Sequence, residues 1–213
     1  MRLTSLLAIA LFLAAAPTYA DTILVGSDLS TLFGGSGLCP SSSDCEEVAQ
    51  EFTLLTPVVI DQIKVAISGP NVMGSTDGNF NVTLGDVLGT GTEIGPGDLI
   101  FNDKEDLVTE VFDFTGLDIS LGAGTYYLQL SGGNVQWVFA DPLTTTAGTI
   151  GPAWLCDPTI SCSSEFWESV DNIHAFEIDG TTSTIPEPSS FILLGTGVLC
   201  LAGVVRRRLL ACS

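Results

Sequence analysis

Chemistry at neutral pH usually calls on a histidine, a cysteine or a pair of carboxylates, and His174 is the only histidine in the chain. A nucleophile and base would need His174 beside a serine or cysteine. No Gly-x-Ser-x-Gly elbow occurs, and His174-Ala175-Phe176-Glu177-Ile178 reads as a strand, so a structural histidine is expected. Glycoside hydrolysis needs two carboxylates roughly 5 to 10 Å apart in a cleft. Glu165 and Glu168, flanking Phe166-Trp167, are the one cluster that joins acids to sugar-stacking aromatics. In so acidic a chain such neighbours arise by chance, and no catalytic residue is assigned.

Calcium takes several oxygen ligands from one turn. Asp77-Gly78-Asn79, Asp103 with Glu105 and Asp106, and Asp171-Asn172 each offer two or three. None has the spaced D-x-D-x-D-G pattern, and each reads first as a solvated turn. Structural calcium is the one ion the body could take; no metal ligand and no cofactor are assigned. Gly34-Gly35-Ser36-Gly37 is followed by neither a Lys-Ser/Thr pair nor a helix, so it reads as a loop leading into Cys39 rather than a phosphate cradle.

These residues must be positioned by a body that is almost purely acidic. Between residues 21 and 185 lie 24 of the chain's 25 acids, against only Lys64 and Lys104, for a formal charge of −22. Such a surface repels phosphates and anionic headgroups and has no basic cluster to release counterions. Nucleic-acid binding is thereby excluded. The charge suits solubility outside a cell or divalent cations, while the apolar content, 46% of the chain, is too high for disorder. About 165 residues fit one domain.

Helical periodicity is nearly absent there. Short β-branched or aromatic runs alternate with Gly, Pro, Asn and Asp, as in antiparallel sheets. Strands are expected at Thr22 to Val25, Ala49 to Leu55, Val58 to Ser68, Asn79 to Leu84, Val108 to Phe114, Thr125 to Ser131, Val135 to Ala140 and His174 to Ile178. Phe80-Asn81-Val82-Thr83-Leu84, Val111-Phe112-Asp113-Phe114 and Ala175-Phe176-Glu177-Ile178 each set an apolar face against a polar one, so the apolar faces should meet across a sandwich core. Ser131-Gly132-Gly133-Asn134 predicts a hairpin joining Tyr126–Leu130 to Val135–Phe139, with Trp137 in the core.

Both ends are set apart from this body. Arg2, an apolar run from Leu6 to Ala16 and Pro17-Thr18-Tyr19-Ala20 have the layout of a cleavable secretory signal over residues 1–20, so the mature chain is expected to begin at Asp21. Residues 181–185 read as a linker. Pro186-Glu187-Pro188 follows, then an uncharged stretch from Ser189 to Val205, then Arg206, Arg207 and Arg208. That stretch predicts one transmembrane helix over about 189–205, slightly shorter than the roughly 20 residues a hydrocarbon core of about 30 Å requires. The positive-inside rule keeps the arginines cytoplasmic.

Pro186-Glu187-Pro188, an apolar segment containing Gly195 and Gly197, and the arginine cluster together resemble the PEP-CTERM sorting signal. The resemblance covers residues 186–213. It implies a temporary anchor cut near the Pro-Glu-Pro by a membrane protease, exosortase, with delivery to the cell surface or extracellular matrix in bacteria that make extracellular polysaccharide. Leu117-Asp118-Ile119-Ser120-Leu121-Gly122-Ala123-Gly124-Thr125-Tyr126-Tyr127-Leu128-Gln129-Leu130 also resembles a segment of the β-sandwich ectodomains of such proteins, in which a Gly-Thr-Tyr-Tyr turn leads into a penultimate core strand. That likeness implies a jelly-roll-like fold and no activity.

The fold expected is therefore all-β, an antiparallel, jelly-roll-like β-sandwich ectodomain over residues 21–180, with a signal peptide before it and the membrane helix after. Export makes the compartment oxidising, so disulfides are expected. Of three pairings, the local ones, Cys39 to Cys45 and Cys156 to Cys162, are favoured because each staples one turn-rich loop; convergence of all four on one face is the alternative. Zinc is disfavoured by the spacing and the single histidine, and Cys200 and Cys212 read as free thiols. The leading function is a non-catalytic structural or adhesive component of the matrix. A glycan-binding module is the alternative, with Trp154 and Trp167 as candidate contacts and extracellular polysaccharide as partner, and a polysaccharide hydrolase comes third.

Overall fold

The alternating segments pair into twelve strands: β1 (Thr22–Gly26), β2 (Phe33–Gly37), β3 (Glu47–Leu54), β4 (Val58–Gly69), β5 (Asn79–Gly85), β6 (Thr92–Asp98), β7 (Val108–Leu121), β8 (Gly124–Ser131), β9 (Gln136–Phe139), β10 (Gly148–Cys156), β11 (Trp167–Val170) and β12 (Phe176–Thr182). The computed structural model describes residues 22–38, 47–70, 78–100, 108–145, 147–156 and 167–182. The expected signal peptide, Cys39, Cys45, Cys162, the Pro-Glu-Pro, the membrane segment and the arginine cluster lie outside the described residues. Among the described residues every regular element is a strand.

The strands form two antiparallel sheets, all-β as expected. In the first, the order is β1-β12-β4-β9-β2, and β7 pairs with the other edge of β4; in the second it is β11-β10-β3-β8-β5-β6. β4 is the spine of the first sheet: Val58–Val65 pair with β12, Ile67 and Ser68 with β9, and the whole strand with β7. Eight of the strands make a frame of β1-β12-β4-β7 facing β3-β8-β5-β6. The chain crosses between sheets at β3 to β4, β4 to β5, β6 to β7 and β7 to β8, which is the jelly-roll pattern of wrapping.

The inward faces make the core. Phe80, Val82 and Leu84 of β5 and Phe176 and Ile178 of β12 are buried, and Phe112 and Phe114 of β7 pack against the same cluster. Phe52 spans the layers, its ring 5.9 Å from Tyr126 beside it and 6.1 Å from Phe176 of the opposite sheet. Each such side chain, fully buried, contributes about 1.5–3 kcal/mol.

One polar seam crosses this core. Gln50 accepts the backbone N–H of His174 at 2.9 Å and donates to the carbonyls of Gly151 at 2.9 Å and Pro152 at 3.3 Å. It thereby satisfies the irregular stretch of β10, where register shifts between Ile150 and Ala153. A buried carbonyl left unpaired costs about 1–3 kcal/mol, so this glutamine is what lets β10 bend inside the sheet.

Three expectations are corrected. The Gly132-Gly133 turn is not a hairpin: β8 belongs to the second sheet and β9 to the first, so the turn is an arch between layers. Both glycines have positive φ, +81° and +76°, and the arch drops Trp137 into the core, where its indole donates to the carbonyl of Ala175 at 2.9 Å. β12 runs to Thr182, paired through Thr181 to Val59 and Thr182 to Val58, so the first two residues read as linker are strand. Gly34-Gly35-Ser36-Gly37 is not a free loop but most of β2, paired to β9.

Candidate functional site

Pairing on the outer face of the second sheet gathers the side chains of greatest chemical interest. Trp167 opposes Cys156, which opposes Glu47, and Trp154 opposes Ala49, which opposes Gln129. Antiparallel partners share a face, so both tryptophans stand on one surface, as candidate glycan contacts require. They stand differently: Trp167 is 8% exposed and packs on Ala49 and Cys156, while Trp154 stays partly open beside Leu88. The Cys156 sulfur is buried and engaged rather than free.

Trp154 is held by an acid. Its indole N–H donates to Glu51 Oε2 at 3.1 Å. Gly151 makes room for that carboxylate, since a Cβ there would lie 2.6 Å from Glu51 Oε1. Tyr127, opposite Glu51 on β8, has its phenol pushed above the ordinary tyrosine range by burial, then by the Glu51 charge and a hydrogen bond to it.

Beside this patch a loop, residues 86–91, folds back over the sheet. Gln129 pins it, accepting the Gly89 N–H at 2.8 Å and donating to the Thr90 carbonyl at 2.7 Å. Between loop and sheet lies a pocket of about 380 Å³ lined by Glu47, Thr83, Gln129, Ser131 and the Gly89-Thr90-Gly91 backbone. Burial holds the Glu47 carboxyl above its usual range. A second, apolar cleft of about 280 Å³ opens between the sheet edges at Leu84, Ile94, Ile119, Leu121 and Tyr126.

Among the described residues the other candidates do not assemble. Glu168 neighbours Trp167 in β11, so alternation turns the two to opposite faces; Glu165 and Phe166 lie outside the described residues, as do Asp77, Asp103, Glu105 and Asp106. Among the described residues no three or more His, Cys, Asp or Glu side chains converge as metal ligands. His174 does meet a serine, Nε2 lying 3.1 Å from Ser36 Oγ. Both are buried, His174 completely, and its Nδ1 has no partner, so no acid orients the ring as a triad would require.

Beyond this body, a family model described as the PEP-CTERM protein-sorting motif matches residues 184–208. The chain carries a PEP-CTERM sorting motif. That span takes in Pro186-Glu187-Pro188 and Arg206 to Arg208, the residues that suggested it. The motif supports an exported protein, anchored transiently in the membrane and sorted to the cell surface by exosortase. No curated protein matches the chain.

Glu47, Glu51, Thr83, Tyr127, Gln129 and Ser131 had no local signal. They become neighbours only through strand pairing and a loop that folds back, and only Thr83 and the β8 residues lie in stretches whose pattern drew attention.

Proposed function

We propose that this protein is a non-catalytic structural or adhesive component of an extracellular polysaccharide matrix. In this reading it is exported by residues 1–20, held for a time by a helix over about 189–205 and released from that helix by cleavage near Pro186-Glu187-Pro188. The observation that carries it is the PEP-CTERM motif joined to an all-β body whose one cation among the described residues, Lys64, is consumed by Glu177 and Asp179. What faces solvent is an anionic, hydrated surface, suited to a polymer-rich exterior. Disulfides between Cys39 and Cys45 and between Cys156 and Cys162 belong to the same proposal; the engaged sulfur of Cys156 supports the second.

Intact mass of the protein isolated from its native host tests this. Loss of residues 1–20 and of everything after the Pro-Glu-Pro is expected, and a product retaining Arg206 to Arg208 would contradict exosortase processing. A glycan-binding module is the second reading, favoured by the partly open ring of Trp154 beside a polar pocket. Hydrolysis separates from both by assay of reducing ends released from the host's own polymer; none is expected.

A further inference from the structure

The pocket under the 86–91 loop has polar groups on its floor that the fold leaves unused. Gln129 is spent on pinning the loop, and the Thr90 hydroxyl donates to the Val87 carbonyl at 3.2 Å. By contrast the Glu47 carboxylate and the Thr83 and Ser131 hydroxyls make no hydrogen bond among the described residues. Asn81 stands across from Ser131, and its Oδ1 is buried without a partner. At the far end of the same cross-strand row the indole Nε1 of Trp167, a side chain only 8% exposed, is also buried and unpartnered. Neither of these two atoms is open to the pocket, so the groups it leaves for an occupant are the Glu47 carboxylate and the Thr83 and Ser131 hydroxyls.

The chemistry of the row narrows what that occupant is. Glu47 is an acceptor with two oxygens, and the two hydroxyls exchange hydrogen bonds either way, so the ligand must bring O–H or N–H donors. It must not be anionic, because Glu47 and the surrounding acids repel it. A bare divalent cation would want several carboxylates at one point, and only one is present. A volume of about 380 Å³ falls in the range of small-molecule pockets. Trp154, Ala49 and Gln129 form the adjoining row, and the partly open side chains of Trp154 and Leu88 set an apolar patch beside the polar floor. A sugar ring has both kinds of surface.

We propose that this pocket binds an uncharged pyranose residue of a glycan, its hydroxyls donating to Glu47 and pairing with Thr83 and Ser131. The inference rests on the matrix reading only for the supply of ligand. Sorting is measured separately by the mass of the exported product, so failure of the pocket and failure of the sorting are distinguishable.

Saturation-transfer NMR on the full chain, with the methyl glycosides of glucose, galactose, mannose and N-acetylglucosamine, tests it, with glucuronate and calcium as comparators. At least one neutral glycoside should bind while glucuronate does not. Glu47→Gln, which keeps the shape, should weaken binding about tenfold, the worth of one hydrogen bond to a charged group. Thr83→Val should weaken it further, with near-ultraviolet dichroism unchanged as the control for folding. Three results would overturn the inference: no neutral glycoside bound, calcium bound through Glu47 with no glycoside competing, or glycoside binding indifferent to Glu47→Gln and Thr83→Val. The last would move carbohydrate recognition elsewhere, and Trp154→Ala would then locate it.

Discussion

The His174 imidazole stacks on the Trp137 indole, ring centroids 4.6 Å apart and planes inclined by 28°. The two side chains meet where β9 and the lead-in to β12 close one end of the first sheet. Phe139 leans on the same imidazole at 5.1 Å, so the ring sits in an aromatic enclosure that favours its neutral form.

Burial pushes the His174 pKa down to about 3, while in an unfolded chain it titrates near 6.5. The native state therefore holds fewer protons. The stability this histidine contributes is present above pH 6.5 and lost as pH falls toward 3, by about 1.4 kcal/mol for each pH unit. His174→Gln should flatten the pH dependence of urea unfolding between about pH 6.5 and 4.5 by roughly 3 kcal/mol. Carboxylate titration is common to both proteins and drops out of the difference. Parallel profiles would place the imidazole in contact with water.

Lys64 lies between Asp113 on β7 and Glu177 on β12, and its ammonium pairs with Glu177 and, at 2.8 Å, with Asp179. Burial draws its pKa down, but the hydrogen bonds and charges of Asp179 and Glu177 outweigh that and hold it above the ordinary lysine range. Lys64→Met leaves those carboxylates facing one another with no cation, and should cost about 2 kcal/mol, less than for a fully buried pair because the site is partly wet. Salt should recover part of the loss, and Glu177→Gln in the same background should recover more. A Lys64→Met protein as stable as the parent would remove the triad from the account of the first sheet.

The strands legible in the sequence are those whose own side chains alternate. Phe80, Val82 and Leu84 mark β5, and Phe176 and Ile178 mark β12, because burial on one face writes a period of two into the chain. β2, β6 and β11 carry no such pattern. They are edge strands, and Phe33-Gly34-Gly35-Ser36-Gly37 and Thr92-Glu93-Ile94-Gly95-Pro96-Gly97-Asp98 are held by partners rather than by their own apolar face. β10 hides for another reason: Gly151 and Pro152 interrupt it, and the residue that makes the interruption tolerable, Gln50, is far away in sequence. The arch at Gly132-Gly133 reads locally like a hairpin because both structures need positive φ. Which sheet receives Trp137 is decided by the core, not by the turn. The pocket under the loop was illegible for the same reason, since Glu47, Thr83 and Ser131 come from three strands.

That arch makes a graded prediction. A Cβ on Gly132 meets nothing closer than 3.6 Å, whereas one on Gly133 would lie 2.3 Å from the Asn79 carbonyl oxygen. Gly132→Ala should cost about 1 kcal/mol from the left-handed backbone alone. Gly133→Ala adds a clash with the first residue of β5 and should cost about 2–4 kcal/mol, measured by thermal or urea unfolding. Equal costs would mean that the clash relaxes by movement of β5.

The Glu51 carboxylate, held by the Trp154 indole, faces the Tyr127 phenol, and this offers a spectroscopic test of the outer face. The chain has three tyrosines, and Tyr19 leaves with the expected signal, so ultraviolet titration of the processed protein reads Tyr126 and Tyr127 alone. One of them should ionise above the ordinary tyrosine range, since burial, the Glu51 charge and the Glu51 hydrogen bond all disfavour the Tyr127 phenolate. Glu51→Gln removes the charge but not the burial. The late titration should therefore move down without reaching the value of a solvated tyrosine. Trp154 fluorescence should change in the same variant, because its indole N–H exchanges a carboxylate partner for an amide. If the tyrosine moves and the tryptophan does not, Glu51 faces β8 alone, and Trp154 is held by packing on Ala49 and Leu88 rather than by its hydrogen bond.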